Sequence, residues 1–456
     1  MNVHKDRKTA WTPDFGAEPK SEARNPKAEG NSKFETRNAR RLPGRDGERP
    51  TSQRIRISGF GLLSGFDFRN STLSFSKQCA HPILRRPCLD LAILFGLATN
   101  LVSAQSQLPK PPYPPSLAIQ SITWHWETHR TAAPGSDLWP VTWGPDDHLY
   151  AAWGDGGGFG GSDSDGRVSM GFARLEGGPE DYRGFNVNGG KDPEHPASFP
   201  KKGKPGGILF VDGTLYASIN LQDGPWPNVN HVLAWSTDRG ATWTHADWLF
   251  PKGVGNFQPA KFLNCGRDYT GLPAHLDGFV YLYGPRQAAR AGEERELFLA
   301  RVPKRKLQER AAYQFFEGFD KDGKPRWTSD AAQMQPVFTD SNGVTPGTVV
   351  YDPGIKRFLL TSFHTGPGQL GVFDAPEPWG PWTTVAYDET WGGMGATGEG
   401  LTCEFPQKWM STDGLTLWSV FSVYGEGAKQ GIQAHDRFNL VKATLKLTSA
   451  QTILPP

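Results

Sequence analysis

Apolar positions in this chain alternate in short runs, and an acidic turn precedes each run. Asp146-Asp147-His148 leads into Leu149-Tyr150, Asp212-Gly213-Thr214 into Leu215-Tyr216, and Asp277-Gly278 into Phe279-Val280-Tyr281. A looser copy is Asp352-Pro353-Gly354 before Arg357-Phe358-Leu359, and the last is Asp413-Gly414 before Leu415-Thr416-Leu417-Trp418. Asp-Gly between alternating apolar residues signals a tight hairpin, because the turn needs positive φ. A second series trails the first: Gly171-Phe172-Ala173-Arg174, Leu233-Ala234-Trp235-Ser236, Leu299-Ala300-Arg301-Val302, Gly371-Val372-Phe373-Asp374 and Asn439-Leu440-Val441-Lys442. Two hairpins per repeat, five times over, predict an all-β fold, a five-bladed β-propeller with four-stranded antiparallel blades. The longest interval, from Asp277 to Asp352, leaves room for a short helical insertion over Lys304 to Tyr313.

Composition agrees with this pattern. Gly at 54 and Pro at 38 of 456 residues argue against a helical bundle, and four Cys are too few for a disulfide scaffold. The net charge of +2 averages two unlike pieces. Residues 1–88 are strongly basic, whereas the remainder carries more Asp and Glu than Lys and Arg. Residues 1–84 have almost no apolar periodicity and read as a disordered basic leader or an upstream extension ahead of the true start. A nucleic-acid-binding arm is the weaker alternative, since no aromatic interleaving accompanies the charge. Residues 85–104 have the layout of a signal peptide: Arg85-Arg86, an apolar run from Leu89 to Val102, then Val102-Ser103-Ala104. That run is short for a bilayer span; a buried core helix is the alternative. Residues 105–116 form a Pro-rich tether, 117–447 the propeller and 448–456 a tail. The expectation is a secreted or periplasmic monomer with no membrane span after cleavage, and an acidic mature surface disfavours nucleic acid.

Ser236-Thr237-Asp238-Arg239-Gly240-Ala241-Thr242-Trp243 matches the Asp-box of sialidase-like propellers, a structural turn in which Asp caps backbone amides. Candidate chemistry lies at strand ends that should converge on the central pocket. Those positions offer three carboxylates, Asp137, Asp155 and Glu399, as catalytic candidates. Trp139, Trp153, Asn220, Tyr283, Arg286, His364, Glu404 and Tyr424 are the candidates for substrate binding. Such a set suits glycoside chemistry, where one carboxyl donates a proton and another acts as base or nucleophile. Asp155 opens a Gly-rich loop, Gly154 to Gly158, that no Lys-Ser or Lys-Thr follows, so it is not a phosphate loop. Asp163-Ser164-Asp165-Gly166 lacks the trailing Glu of a calcium loop and reads as a solvated turn. Cys265 and Cys403 fall on non-neighbouring blades and read as buried thiols. No metal and no cofactor are expected.

Several strings resemble proteins with domain of unknown function 4185. They are Asp137-Leu138-Trp139-Pro140-Val141-Thr142-Trp143, Trp153-Gly154-Asp155-Gly156, Leu299-Ala300-Arg301-Val302-Pro303 and Asp374-Ala375-Pro376-Glu377-Pro378-Trp379-Gly380-Pro381-Trp382. The resemblance spans roughly residues 136–445. Most members have no assigned function, and some relatives are secreted endo-arabinanases with Asp residues as the catalytic groups. The resemblance therefore implies a glycoside hydrolase acting on a polysaccharide or oligosaccharide. Two alternatives stand beside it. One is a polysaccharide lyase, with His364 or Tyr424 as base and Arg286 steadying a uronate; the other is a non-catalytic carbohydrate-binding propeller.

Overall fold

The computed structural model describes residues 109–199 and 201–449. The leader, the signal segment, residues 105–108 and the end of the tail lie outside the described residues. Five antiparallel sheets follow one another along the chain. Blade one comprises Val141–Trp143, Leu149–Gly154, Met170–Glu176 and Arg183–Asn188. Blade two comprises Gly203–Val211, Thr214–Leu221, His231–Ser236 and Thr244–His245. Blade four comprises Thr345–Asp352, Arg357–Phe363, Leu370–Ala375 and Thr383–Tyr387. The chain is thus the expected five-bladed propeller, and its acidic turns join the first and second strand of each blade.

Blades three and five depart from the simple plan. Blade three begins with Lys261–Phe262, Phe279–Gly284 and Glu296–Pro303. Its third strand then pairs with Gln314–Phe319 along one half and with Pro336–Thr339 along the other. The expected helical insertion at 304–313 is a pair of 3-10 turns, Lys304–Lys306 and Arg310–Ala312. Blade five runs Glu399–Glu404, Thr416–Tyr424 and Phe438–Leu447, and its outermost strand is Ile119–Ala132 from the opposite end of the chain. Ile122 faces Leu445 and Trp124 faces Ala443 across that seam. The Pro-rich segment ahead of it is docked on the ring. Ser116 N donates to Thr384 O at 2.8 Å, and Tyr113 Oη accepts from Thr339 N at 2.8 Å.

Aromatic pairs fill every blade interface. Their ring centroids are 4.9 Å apart for Tyr150–Phe210, 5.4 Å for Phe250–Tyr313, 4.8 Å for Phe338–Phe373, 4.7 Å for Trp391–Phe421 and 5.3 Å for Trp139–Phe438. Burying each such ring stabilises the fold by about 1.5–3 kcal/mol, and the edge-on geometry adds to that. The turn from Ser236 to Trp243 is held locally. Asp238 accepts from Thr242 N at 2.8 Å, Ser236 Oγ accepts from Gly240 N at 2.7 Å, and Trp243 stacks on Phe172 at 4.1 Å. Cys265 and Cys403 are buried free thiols, and burial pushes the Cys403 thiol up to about 12. Among the described residues no helix is long and apolar enough to cross a membrane.

The acidic turns of blades four and five adjoin. Asp352 is fully buried; Oδ1 accepts from Gly354 N at 2.9 Å, while Oδ2 has no partner. Burial, with the Asp413 charge adding to it, raises its carboxyl to about 7. Because the folded protein holds this proton more tightly than the unfolded chain, stability is lost as pH rises from about 4 to 7. Asn keeps the acceptor for Gly354 and does not titrate. Asp352→Asn should therefore melt a few degrees above the parent at pH 8, and the gap should close toward pH 4, as followed by scanning calorimetry.

Candidate functional site

A cavity of about 370 Å³ opens at the propeller axis, and all five blades contribute to its wall. Its floor is an ion pair. Lys261 on the inner strand of blade three meets Glu404 on the inner strand of blade five, with Nζ 3.3 Å from Oε1. Glu404 Oε2 also accepts from Val141 N of blade one at 2.9 Å. Both side chains are buried, so this pair ties three blades together across the axis. Lys261 lines the cavity above, and Glu404 lines a narrow opening below.

The Asp137 and Asp155 carboxylates gather on the blade-one side, next to Leu138 and outside the residues that line the cavity. Asp137 pairs with Gly154 through two backbone bonds, its N to Gly154 O at 2.9 Å and Gly154 N to its O at 3.0 Å. This bridge brings Asp155, the next residue, to the same corner. Asp155 forms an ion pair with Lys204 and lies 3.4 Å from Arg167 Nη2. Lys204 also donates to Ser169 O at 2.9 Å. Asp137 Oδ1 is shielded from solvent and has no hydrogen-bond partner. Burial, then the nearby Asp436 charge, raise its carboxyl to about 8, against the lowering effect of Lys204. Asp137 is thus held protonated at neutral pH beside a carboxylate that two cations flank. A buried, protonated carboxyl beside one held by cations suits an acid next to its base or nucleophile.

The backbone here is strained into place. Leu138 and Trp139 have φ of 73° and 55°, which L-residues rarely adopt, and Leu138 lines the cavity. Leu138 is fixed at both ends: its N donates to Ser422 Oγ at 3.1 Å, and its O accepts from Thr402 Oγ1. Blade one's loop is glycine for lack of space. A Cβ on Gly156 would run into Gly135 O and Ser136 Oγ, and one on Gly157 into Asp165 O.

Several sequence-predicted contacts sit elsewhere. Trp139 and Trp153 offer no face to a sugar; both are fully buried and stack on each other at 5.5 Å, because they alternate inward into the blade one–blade five core. Tyr283 is fully buried and donates to Pro378 O at 2.6 Å. The Arg286 guanidinium lies over the Phe298 ring at 4.4 Å and donates to Met334 O at 2.8 Å, so it is turned into blade three. Glu404 belongs to the floor, with both carboxylate oxygens engaged. Asp163 and Asp165 pair with Arg167 and Lys191. Asn220, His364 and Glu399 do line the cavity, and Tyr424, exposed at the rim, stands opposite Glu399 in strand register. His364 Nε2 lies 3.0 Å from Glu389 Oε1, and burial lowers its pKa.

Four other members were not anticipated as site residues: Asp436, Lys261, His231 and Trp226. Asp436 precedes the third strand of blade five, an entrance that reaches the same face as the inner-strand ends. Its Oδ1 is also buried without a partner.

Residues 205–413 match the family model described as "Domain of unknown function (DUF4185)". No curated protein matches the chain. Among solved structures, a beta-xylosidase is similar at 13% identity, covering 72% of this chain and 98% of that one, with a TM-score of 0.41. A GH43_1 enzyme from Xanthomonas citri is 12% identical over 70% of this chain and 91% of its own, with a TM-score of 0.38. A Bombyx mori GH32 beta-fructofuranosidase is 10% identical over 72% and 66%, with a TM-score of 0.42.

The floor pair makes a specific prediction. Glu404→Gln strands a buried ammonium and should cost about 3–5 kcal/mol in urea unfolding. Adding Lys261→Met should recover most of that loss, since Gln still accepts from Val141. A Glu404 that served only to contact ligand would leave stability unchanged in the single variant.

Proposed function

We propose that the protein is a glycoside hydrolase acting on a polysaccharide or oligosaccharide at the mouth of the axial cavity. The observation that carries this reading is the carboxyl pair: Asp137, with a shielded, unpartnered Oδ1 and a pKa raised to about 8, beside Asp155 flanked by Lys204 and Arg167. Asp137 donates its proton to the glycosidic oxygen as the bond breaks, and Asp155 acts as base or nucleophile at the opposite face of the sugar. Glu399, exposed at the rim, accepts hydrogen bonds from sugar hydroxyls or water. The lyase reading rests on weaker support, because Arg286, its uronate partner, is turned into blade three. Export through the signal segment, removal of residues 1–104 and action outside the cytoplasm belong to the same proposal.

The test is reducing-end release from a panel of plant and bacterial glycans. Asp155→Asn and Asp137→Asn should each lower kcat by about a hundredfold or more, within the range for losing an acid–base group. Because Asp137 works in its protonated form, kcat/KM should fall as pH rises through about 8. Asp436→Asn removes the like charge and should move that limb to lower pH. Undiminished turnover in Asp137→Asn would remove the acid assignment, and a product absorbing as an unsaturated uronate would favour the lyase.

A further inference from the structure

The upper edge of blade two carries a row of side chains that starts at the carboxyl corner and leads away from it. Lys204 stands directly opposite Asn220, and Asn220 directly opposite His231, on three consecutive strands. Residues opposed in this way share one face of the sheet. Neighbouring strands lie about 4.8 Å apart, so the row runs roughly 10 Å outward from the cation that holds Asp155. Asn220 and His231 line the cavity, as does Gln258 from the adjoining blade.

These side chains have unanswered hydrogen-bonding capacity. Asn220 Oδ1, both ring nitrogens of His231 and Gln258 Nε2 are shielded and have no partner in the protein. His231 is 1% exposed. A buried polar atom left unpaired costs about 1–3 kcal/mol, so such a cluster along one wall points to a polar occupant. Burial lowers the His231 pKa to about 4, which leaves a neutral ring able to donate at one nitrogen and accept at the other.

The loop joining the second and third strands of blade two supplies the apolar partner. Trp226 lines the cavity with 60% of its surface exposed. Its loop is fixed rather than loose. Asp223 accepts from Asn230 N at 3.1 Å, Asn228 N donates to Pro225 O at 2.8 Å, and buried Gln287 donates to Val229 O at 2.6 Å. A braced loop that holds an indole out to solvent presents a flat apolar face. The formal charges lining the cavity are mixed: Lys261 is paired with Glu404, Arg295 bonds through Nη1 to the carbonyls of Gly292 and Glu294, and the Glu294 and Glu399 carboxyls share the wall.

We propose that Asn220, His231 and Trp226 form a distal subsite for an uncharged sugar unit, stacked on the Trp226 indole about two strand spacings from the bond to be cleaved. This rests on the glycoside hydrolase reading for the position of that bond. The subsite makes the protein a reader of chain length: a short oligosaccharide occupies the carboxyl corner alone, and a longer one also reaches Trp226.

The test is calorimetric binding to Asp155→Asn, using neutral arabino- and xylo-oligosaccharides of two and five units, with pentagalacturonate as the acidic comparator. One neutral pentasaccharide should bind at least about tenfold more tightly than its disaccharide. Trp226→Ala in the same background should lower pentasaccharide affinity about tenfold and leave the disaccharide within about twofold, and Trp226→Tyr should recover most of the loss. The side chain is exposed, so these variants test binding rather than folding. Equal pentasaccharide affinity in Trp226→Ala, tighter binding of pentagalacturonate, or no binding by any probe would overturn the subsite. A wild-type protein that binds the pentasaccharide through Trp226 yet cleaves none of the glycan panel would overturn the hydrolase reading and leave the subsite standing.

Discussion

Everything in this molecule depends on one seam, the pairing of Ile119–Ala132 with Phe438–Leu447. Without that strand blade five would have only three, and Phe438–Leu447 would expose a row of unpaired backbone groups at the point where the first and last parts of the ring must be joined. The N-terminal segment supplies the missing outer strand and so closes the ring. Ser116 braces the entry to it: its Oγ accepts from Ala118 N at 3.1 Å and from Ile119 N at 2.9 Å. Ahead of that, residues 113–116 lie along blade four, so the closing segment touches more of the ring than one blade.

Closure sets the size of the axial channel, and the buried Lys261–Glu404 pair determines what the channel becomes. A five-bladed ring is narrow enough for two side chains to plug it. The pair stands between the cavity that Lys261 lines and the narrow opening that Glu404 lines. Next to Leu138 on the cavity wall, the bridge between Asp137 and Gly154 does two things at once. It brings Asp155 next to Asp137, and it buries the Asp137 carboxyl against strained backbone at Leu138 and Trp139. Strain of this kind costs about 1–3 kcal/mol per residue and persists only where neighbours enforce it, as Ser422 and Thr402 do here.

The fold was legible because the acidic turns are local. Each one needs only a few adjacent residues, and their spacing alone carries the blade count. The candidate site was legible in part, since strand ends must meet at the axis: Asn220, His364 and Glu399 do line the cavity. What spacing could not supply was facing. Trp139, Trp153 and Tyr283 lie near the right strand ends, but they point into blade interfaces, and period-2 alternation does not say which face an aromatic takes when both are apolar. Arg286 failed for the same reason, captured by Phe298. Lys261 and Glu404 lie far apart in sequence, and their meeting is a product of ring closure. Trp226 carried a readable signal: an aromatic inside Gly224-Pro225-Trp226-Pro227 has no alternating strand to bury it.

The glycine wall of blade one bears on how such a protein diversifies. Where Gly156 and Gly157 approach neighbouring backbone, no side chain can be added without moving the loop. That loop, behind the Asp155 carboxyl, cannot be retuned by adding side chains. The cavity wall between blades two and three is instead built from side chains, Asn220, Trp226, His231 and Gln258 among them. Selection for a new ligand is therefore channelled to that wall, while the glycine loop is held by steric necessity.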